Sequence, residues 1–153
     1  MRALVADATA LIVLARMGRL GLLNLVIDQV LVPSQVLAEV GQQPWLIVTD
    51  GTQETRYHEL CRVLDPGESE AIALAVRESL PLMIDERKGR AVATRLGVAV
   101  VGLLGVLTAL VRSGELSSDA AVELVQKARL QGFRVSERLY QQFVEAASPT
   151  PSD

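Results

Sequence analysis

Aromatic residues are scarce in this chain: Trp, Tyr and Phe together make up 3% of its 153 residues. Half of the residues are nevertheless hydrophobic, so the core must consist mainly of Leu, Val, Ala and Ile. Such a composition is common where helices pack against a parallel sheet. A chain of this length is most simply one domain, and it can bury a sizeable core.

Cysteine and positive charge are also in short supply. Cys61 is the only cysteine, which excludes an internal disulfide and fits a reducing cytoplasm. The formal net charge is −3 and the isoelectric point is about 5.2. Bulk electrostatics would therefore not hold a nucleic acid, and any nucleic-acid contact must be local.

Uninterrupted apolar runs of membrane-spanning length are missing as well. Near the amino terminus, Asp7 breaks the apolar stretch that follows Arg2 before a signal-type apolar core can form. Residues 98–111 are uncharged, but the run is shorter than the roughly 18–20 residues of a spanning helix, and Gly102 and Gly105 interrupt it. These features predict a soluble, cytoplasmic protein with no membrane partner.

Short apolar segments alternate with helical segments through the first two thirds of the chain, as expected for βαβ units around a parallel sheet. The predicted strands are residues 3–6, 30–32, 46–49, 82–84 and 98–101. The predicted helices between and after them are residues 10–17, 20–26, 34–40, 54–63, 66–79, 88–96 and 103–112. From Ser118 onward the pattern is purely helical, over residues 119–130 and 136–147. We expect one domain over residues 1–147, with 118–147 as its helical carboxyl-terminal part, and a disordered tail at 148–153.

Two acidic residues stand where predicted strands end. Asp7 follows the apolar strand at 3–6, and Asp85 follows the strand at 82–84. Ligands of an open parallel sheet bind outside the carboxyl ends of its strands, so both carboxylates should emerge at one edge. Each has a structural alternative. Asp7 could simply cap the first helix, and Asp85 could begin the next helix together with Glu86.

Two further acids lie on predicted helices. Glu68 precedes small or apolar residues by three, four and seven positions, which places it on the core-facing side of its helix, at the end nearest that edge. It could also complete a capping box with Asp65. Glu39 flanks the apolar stripe of the helix at 34–40 and could equally be a solvated helix residue.

Carboxylates that meet at one point, with no His or Cys beside them, repel one another unless a cation is bound. Oxygen-only ligands favour Mg²⁺ or Mn²⁺ over zinc or copper. Such a cluster can activate water and stabilise an in-line attack on phosphorus. Basic residues follow Asp85, at Arg87, Lys88, Arg90 and Arg95. They could hold substrate phosphates beside the metal, or they could form an ordinary charged helix face.

Two other classes of small α/β domain fit less well. A receiver-type phosphoacceptor needs paired acids after the first strand and a lysine after the last, but Asp7 stands alone and residues 98–111 contain no lysine. A dinucleotide-binding domain needs a glycine-rich fingerprint after the first strand, and none is present.

The whole set of sequence blocks, in its order and spacing, resembles the PIN-domain superfamily of metal-dependent ribonucleases, to which VapC-type toxins belong. The resemblance is closest to a bacterial and archaeal branch of PIN-like proteins, and it covers nearly the whole chain. The blocks that carry it are VADATALIVLARMGRL (5–20), VLVPSQVLAEV (30–40), LDPGESEAIALA (64–75), LMIDERKGRAVATRLG (82–97), VVGLLGVL (100–107) and GFRVSERLYQQF (132–143).

The resemblance implies a three-layer α/β/α fold around a central parallel sheet of four or five strands, with an acidic Mg²⁺ or Mn²⁺ site that cuts RNA. The acids that match the catalytic and metal-binding positions are Asp7, Glu39, Glu68 and Asp85. Glu86 could substitute for Asp85. The candidate substrate-binding residues are Thr9 (which could instead cap the first helix), Arg87, Lys88 and Arg90. Toxins of this kind often form homodimers and often have a cognate antitoxin protein, so both are expected partners beside the RNA substrate.

The chain departs from the family pattern at two positions. Leu103 stands where this branch often has a hydroxyl residue, so we expect a polar contact near the last strand to be missing. The third acid is Glu68 rather than an aspartate, which lengthens that ligand by one methylene. These departures keep open an alternative function, namely a PIN-like module that binds RNA or protein without cutting.

Overall fold

The computed structural model describes residues 2–147, so the predicted tail at 148–153 lies outside the described residues. Its strands are β1 (Ala3–Ala6), β2 (Gln29–Val32), β3 (Leu46–Val48), β4 (Leu82–Met83) and β5 (Val100–Val101). Its α-helices are α1 (Ala8–Arg16), α2 (Ser34–Val40), α3 (Thr55–Leu60), α4 (Pro66–Glu78), α5 (Arg87–Arg95), α6 (Leu103–Arg112), α7 (Ser118–Leu130) and α8 (Glu137–Ala147).

The five strands form one sheet in the order β3-β2-β1-β4-β5, and every neighbouring pair is parallel. Strand β1 is therefore central, with β2 on one side and β4 on the other. The carboxyl ends of all five strands meet at one edge of the sheet, which we call the carboxyl edge. The prediction of an α/β fold with a central parallel sheet of four or five strands is confirmed.

Both faces of the sheet are covered, as the alternation of side chains along each strand requires. In β1, Leu4 and Ala6 belong to one buried cluster, whereas Val5 belongs to a second one. In the same way, Met83 faces the first cluster and Leu82 faces the second. Helices α1, α2, α6, α7 and α8 contribute to the first cluster, and α3, α4 and α5 to the second. The result is the three-layer α/β/α arrangement predicted from the sequence.

Several predicted bounds shift by one to three residues, and for two elements the contacts explain the difference. The segment expected as an α-helix at 20–26 is a 3₁₀ helix, Leu20–Leu25, which ends where the Asn24 side chain donates to the Ile27 carbonyl (3.1 Å) and the chain turns toward β2. The last strand was expected at 98–101 but begins at Val100. The predicted start of the strand is bonded to α5 instead, because the Val98 amide donates to the Ala93 carbonyl (3.0 Å).

A buried carboxylate fixes the loop that follows β3. Glu70 is almost completely buried on α4, and its Oε2 accepts a hydrogen bond from the Gly51 amide (2.9 Å). A Cβ at Gly51 would lie 2.8 Å from Leu74 Cγ and 3.0 Å from Glu70 Cγ, so only glycine allows this approach.

The described helices include none that is both long and apolar enough to cross a membrane.

Candidate functional site

Asp7 lies at the carboxyl edge, directly after the central strand. Its amide donates to the Met83 carbonyl (2.9 Å), which continues the β1–β4 ladder by one residue and holds the Asp7 backbone beside the end of β4. The residue is only 7% exposed. It occupies the N-cap position of α1, yet its side chain makes no capping hydrogen bond. The arrangement leaves a buried carboxylate that the helix does not use as a cap.

The surroundings of Asp7 oppose its negative charge. Burial is the main cause that raises its pKa to about 6. The Ala8 N–H opposes this shift, and the negative charges of Asp65, Asp85 and Glu86 each add a smaller increase. A carboxylate with this pKa at the end of a central strand is a candidate ligand for a cation.

Glu68 lies in the first turn of α4, half-buried. Burial is the main cause that raises its pKa, to about 8, followed by a hydrogen bond that its protonated carboxyl donates to Asp65 and by the charges of Asp65, Glu86 and Asp7. The predicted capping box is half formed. Asp65 Oδ1 accepts from the Glu68 amide (2.8 Å), while the Glu68 carboxyl lies against the Asp65 side chain.

Gly89 of α5 makes room for two of these carboxylates. A Cβ at this position would lie 3.3 Å from Glu68 Oε2 and 3.5 Å from Glu86 Oε2, and 2.7 Å from Ile84 Cδ1. The Glu86 carboxylate caps α5 by accepting from the Gly89 amide (2.6 Å). Glu86, rather than Asp85, therefore begins α5.

Asp85 is held by the start of α6. Its Oδ1 and Oδ2 lie 3.1 and 3.2 Å from the Leu103 amide nitrogen at the start of α6. Burial raises the pKa of Asp85, while the Leu103 N–H and the Arg90 guanidinium oppose that shift. The Leu103 backbone thus supplies one polar contact beside the last strand, and the loss of a side-chain hydroxyl contact at this position stays a prediction.

Three helices begin at the carboxyl edge with a carboxylate on their first amides: Asp65 on α4, Glu86 on α5 and Asp85 on α6. The amino end of a helix carries a partial positive charge, which favours anions there. The convergence of these ends explains how so many acids can share one edge. The sequence indicated Asp65 as a cap, and Glu86 as a substitute for Asp85 or as part of a helix start, without placing either among the acids of the site. The signals were the Asp three positions before Glu68 and the Asp-Glu doublet at 85–86.

Glu39 is the predicted acid that lies on α2. It is exposed near the end of that helix, next to Val40, which is buried. Within residues 2–147, no three His, Cys, Asp or Glu side chains are grouped closely enough to hold one metal ion. The assignment of all four acids as metal ligands stays a prediction.

The predicted substrate-binding residues divide into two groups. Thr9 and Lys88 are exposed. Arg87 and Arg90 line an open groove of about 690 Å³ that begins at Asp85. The Arg90 guanidinium is fixed by a hydrogen bond from Nη1 to the Ile84 carbonyl (2.8 Å).

Comparisons with known proteins give one positive finding. Searches among curated proteins and among solved structures found no match. The family model DUF3368, described as a PIN domain, matches residues 3–149, a range that contains all five strands and every acid of the carboxyl edge. The chain belongs to the DUF3368 family of PIN domains.

Proposed function

We propose that this protein is a metal-dependent ribonuclease that hydrolyses phosphodiester bonds of RNA with Mg²⁺ or Mn²⁺. PIN domains are commonly nucleases, and they generally use divalent metals. The observation that carries the proposal is the buried Asp7 carboxylate, whose pKa is raised to about 6 by burial and by neighbouring acids. A divalent cation would offset this repulsion, and a donor set of carboxylate oxygens suits Mg²⁺ or Mn²⁺.

Each acid has a role in the proposed mechanism. Asp7, Glu39, Glu68 and Asp85 would hold the metal. A bound metal supplies water activation and charge neutralisation at the phosphate. Glu68 must first release the proton that it shares with Asp65, so metal binding should be accompanied by proton release. Arg87 and Arg90 line the groove beside Asp85 and would position the phosphates of the RNA.

The resemblance to VapC-type toxins extends the proposal to a biological role. The protein would be the toxin of a toxin–antitoxin pair, present in the cytoplasm, with a cognate antitoxin protein and a homodimeric assembly. A gene for a small protein immediately upstream would support this role, and a monomer in light scattering would argue against the homodimer.

A second function is favoured by a specific observation. Asp85 is already occupied by the Leu103 N–H and by the Arg90 charge, and no three acids within residues 2–147 are grouped around one point. A PIN-like module that binds RNA or protein without cutting would have no need of such a group.

The test is cleavage of a mixed structured RNA by the purified protein with Mg²⁺ or Mn²⁺, beside Asp7→Asn, Asp28→Asn and a chelator. Asp28 is an exposed acid that directly precedes β2, at the opposite edge of the sheet, so it is a matched control. We expect cleavage by the wild type and by Asp28→Asn. Asp7→Asn should lower the rate by at least about 100-fold, and the chelator should abolish cleavage.

Calorimetry of Mn²⁺ binding separates the two functions if the wild type is inactive. Mn²⁺ binding by the wild type that is lost in Asp7→Asn would support the proposed metal centre. An absence of binding in the wild type would contradict the nuclease proposal and favour the non-catalytic module.

A further inference from the structure

The groove that begins at Asp85 has a second wall that the sequence did not indicate. One wall is the start of α5, with Arg87 and Arg90. The other is the connection between α7 and α8, which contributes Arg134 and Ser136. The apolar side chains in the lining are Val100, Val101, Leu104, Phe133, Val135 and Leu139. The groove thus extends from the acids of the carboxyl edge to a segment almost fifty residues further along the chain.

The charge of the groove differs from that of the chain. Three arginines line it against one acid, Asp85, although the chain as a whole carries a net charge of −3. Within residues 2–147, Arg87 and Arg134 form no ion pair, whereas Arg77 and Arg129 each pair with a glutamate. An unpaired guanidinium in an otherwise acidic protein favours an anionic ligand.

The α7–α8 connection is anchored at both ends. Phe133 is buried in the first core cluster, and its amide donates to the Ala128 carbonyl (3.0 Å). Ser136 Oγ accepts from the Leu139 amide (3.1 Å) at the start of α8. Arg134 therefore projects from a segment whose backbone is fixed. Binding of a phosphate would not carry the entropic cost of ordering that backbone.

The apolar part of the lining distinguishes a nucleotide strand from a simple anion. Leu139 is 51% exposed at the groove, next to the arginines. Single-stranded RNA presents both a phosphate, which a guanidinium binds bidentately, and a base face, which packs on apolar side chains or on the guanidinium plane. The volume of about 690 Å³ is sufficient for such a unit.

We propose that Arg134 and Arg87 bind a backbone phosphate of single-stranded RNA next to the bond that is cut, with a base against Leu139. This assignment rests on the proposed function, because the groove is continuous with the acidic site through Asp85. It adds the α7–α8 connection to the substrate site and identifies the substrate as an unpaired strand.

The experiment measures binding separately from cleavage. Anisotropy of a labelled single-stranded oligoribonucleotide is recorded with the Asp7→Asn protein in chelator, alone and combined with Arg134→Ala, Arg87→Ala or Arg138→Ala. Arg138 is an exposed arginine of α8 that does not line the groove, so Arg138→Ala removes the same charge elsewhere. Melting temperatures of all variants exclude a folding defect.

We expect Arg134→Ala and Arg87→Ala each to weaken binding by about 5- to 10-fold, to a similar extent for different sequences. The dependence of log Kd on log salt should become shallower by about 0.7 for each lost contact with a single strand. Arg138→Ala should bind like the parent protein. Equal binding by the Arg134→Ala and Arg138→Ala proteins would overturn the proposal, and so would equal affinity of the parent for fully duplex RNA.

The two proposals can fail independently. If RNA binding depends on Arg134 but the protein never cleaves RNA, the proposed RNA-binding groove is supported and the nuclease proposal is contradicted. If cleavage depends on Asp7 but is unchanged by substitution of Arg134, the nuclease proposal is supported and the proposed RNA-binding groove is contradicted.

Discussion

The ends of β1 and β4 each present a carboxylate at the carboxyl edge, but the protein treats the two differently. Asp85 receives the Leu103 amide and faces the Arg90 guanidinium. Asp7 is more deeply buried, makes no capping hydrogen bond and faces three other acids. Asp85 is therefore held in place by the chain itself, whereas the charge of Asp7 lacks a comparable counterpart. A bound cation would therefore reduce electrostatic repulsion more at Asp7 than at Asp85.

The largest expected effect is a loss of stability with rising pH in the metal-free protein. The pKa of Asp7 is raised from 3.8 to about 6 in the folded state, so the folded protein binds this proton more tightly than the unfolded chain. The stabilising contribution is complete below pH 3.8 and is lost as the pH rises through 6. The loss is at most about 3 kcal/mol in the free energy of unfolding. Glu68, raised to about 8, extends the decline in the same direction.

Urea unfolding between pH 4 and pH 8 measures this decline. Asp7→Asn should flatten it, and Mn²⁺ at pH 8 should restore stability to the wild type but not to the variant. A wild type that becomes more stable from pH 5 to pH 8 without metal would show that Asp7 is not destabilised by its surroundings.

A smaller effect is expected where the chain holds Asp85. Gly102 leaves space for this carboxylate, since a Cβ there would lie 2.5 Å from Asp85 Oδ1 and 3.2 Å from Arg90 Nη1. Gly102→Ala should displace Asp85 and lower the free energy of unfolding by about 2 kcal/mol. Gly21→Ala is the control, because a Cβ at Gly21 meets no atom within 4 Å. If both variants unfold at the same urea concentration, Asp85 is not held as tightly as its contacts indicate.

The smallest effect should come from removing the Asp85 carboxylate itself. Asp85→Ala leaves the Leu103 amide without its acceptor, at a cost of about 1 kcal/mol, partly offset because a half-buried charge is also removed. The same measurement on Asp7→Asn at pH 8 should give a change of opposite sign. Destabilisation by both substitutions would remove the contrast between the two strand ends.

Much of the fold followed from local sequence signals. The apolar strands that alternate with helices predicted the parallel sheet, and Asp65 with Pro66 predicted the start of α4. The strand-end rule predicted that Asp7 and Asp85 follow strands at the carboxyl edge, and the helical periodicity predicted that Glu68 is partly buried; their catalytic roles stay predictions. These positions follow from neighbours within one or two turns of chain.

The rest of the site depends on contacts between distant segments. Asp65 and Glu86 join the acids only because α4 and α5 begin at the same edge of the sheet. Arg134 joins Arg87 only because the α7–α8 connection and the start of α5 line the same groove. The periodicity of one helix contains no information about which other helix will begin beside it.

The position of β1 in the sheet also has a consequence for synthesis of the protein. β1 is synthesised before both of its neighbours, and the second of them, β4, begins only at Leu82. The amide that holds Asp85 belongs to Leu103, later still. A nascent chain therefore lacks the complete acidic edge until Leu103 has emerged. If the proposed nuclease activity is correct, the growing chain would remain inactive toward the RNA that surrounds it during translation.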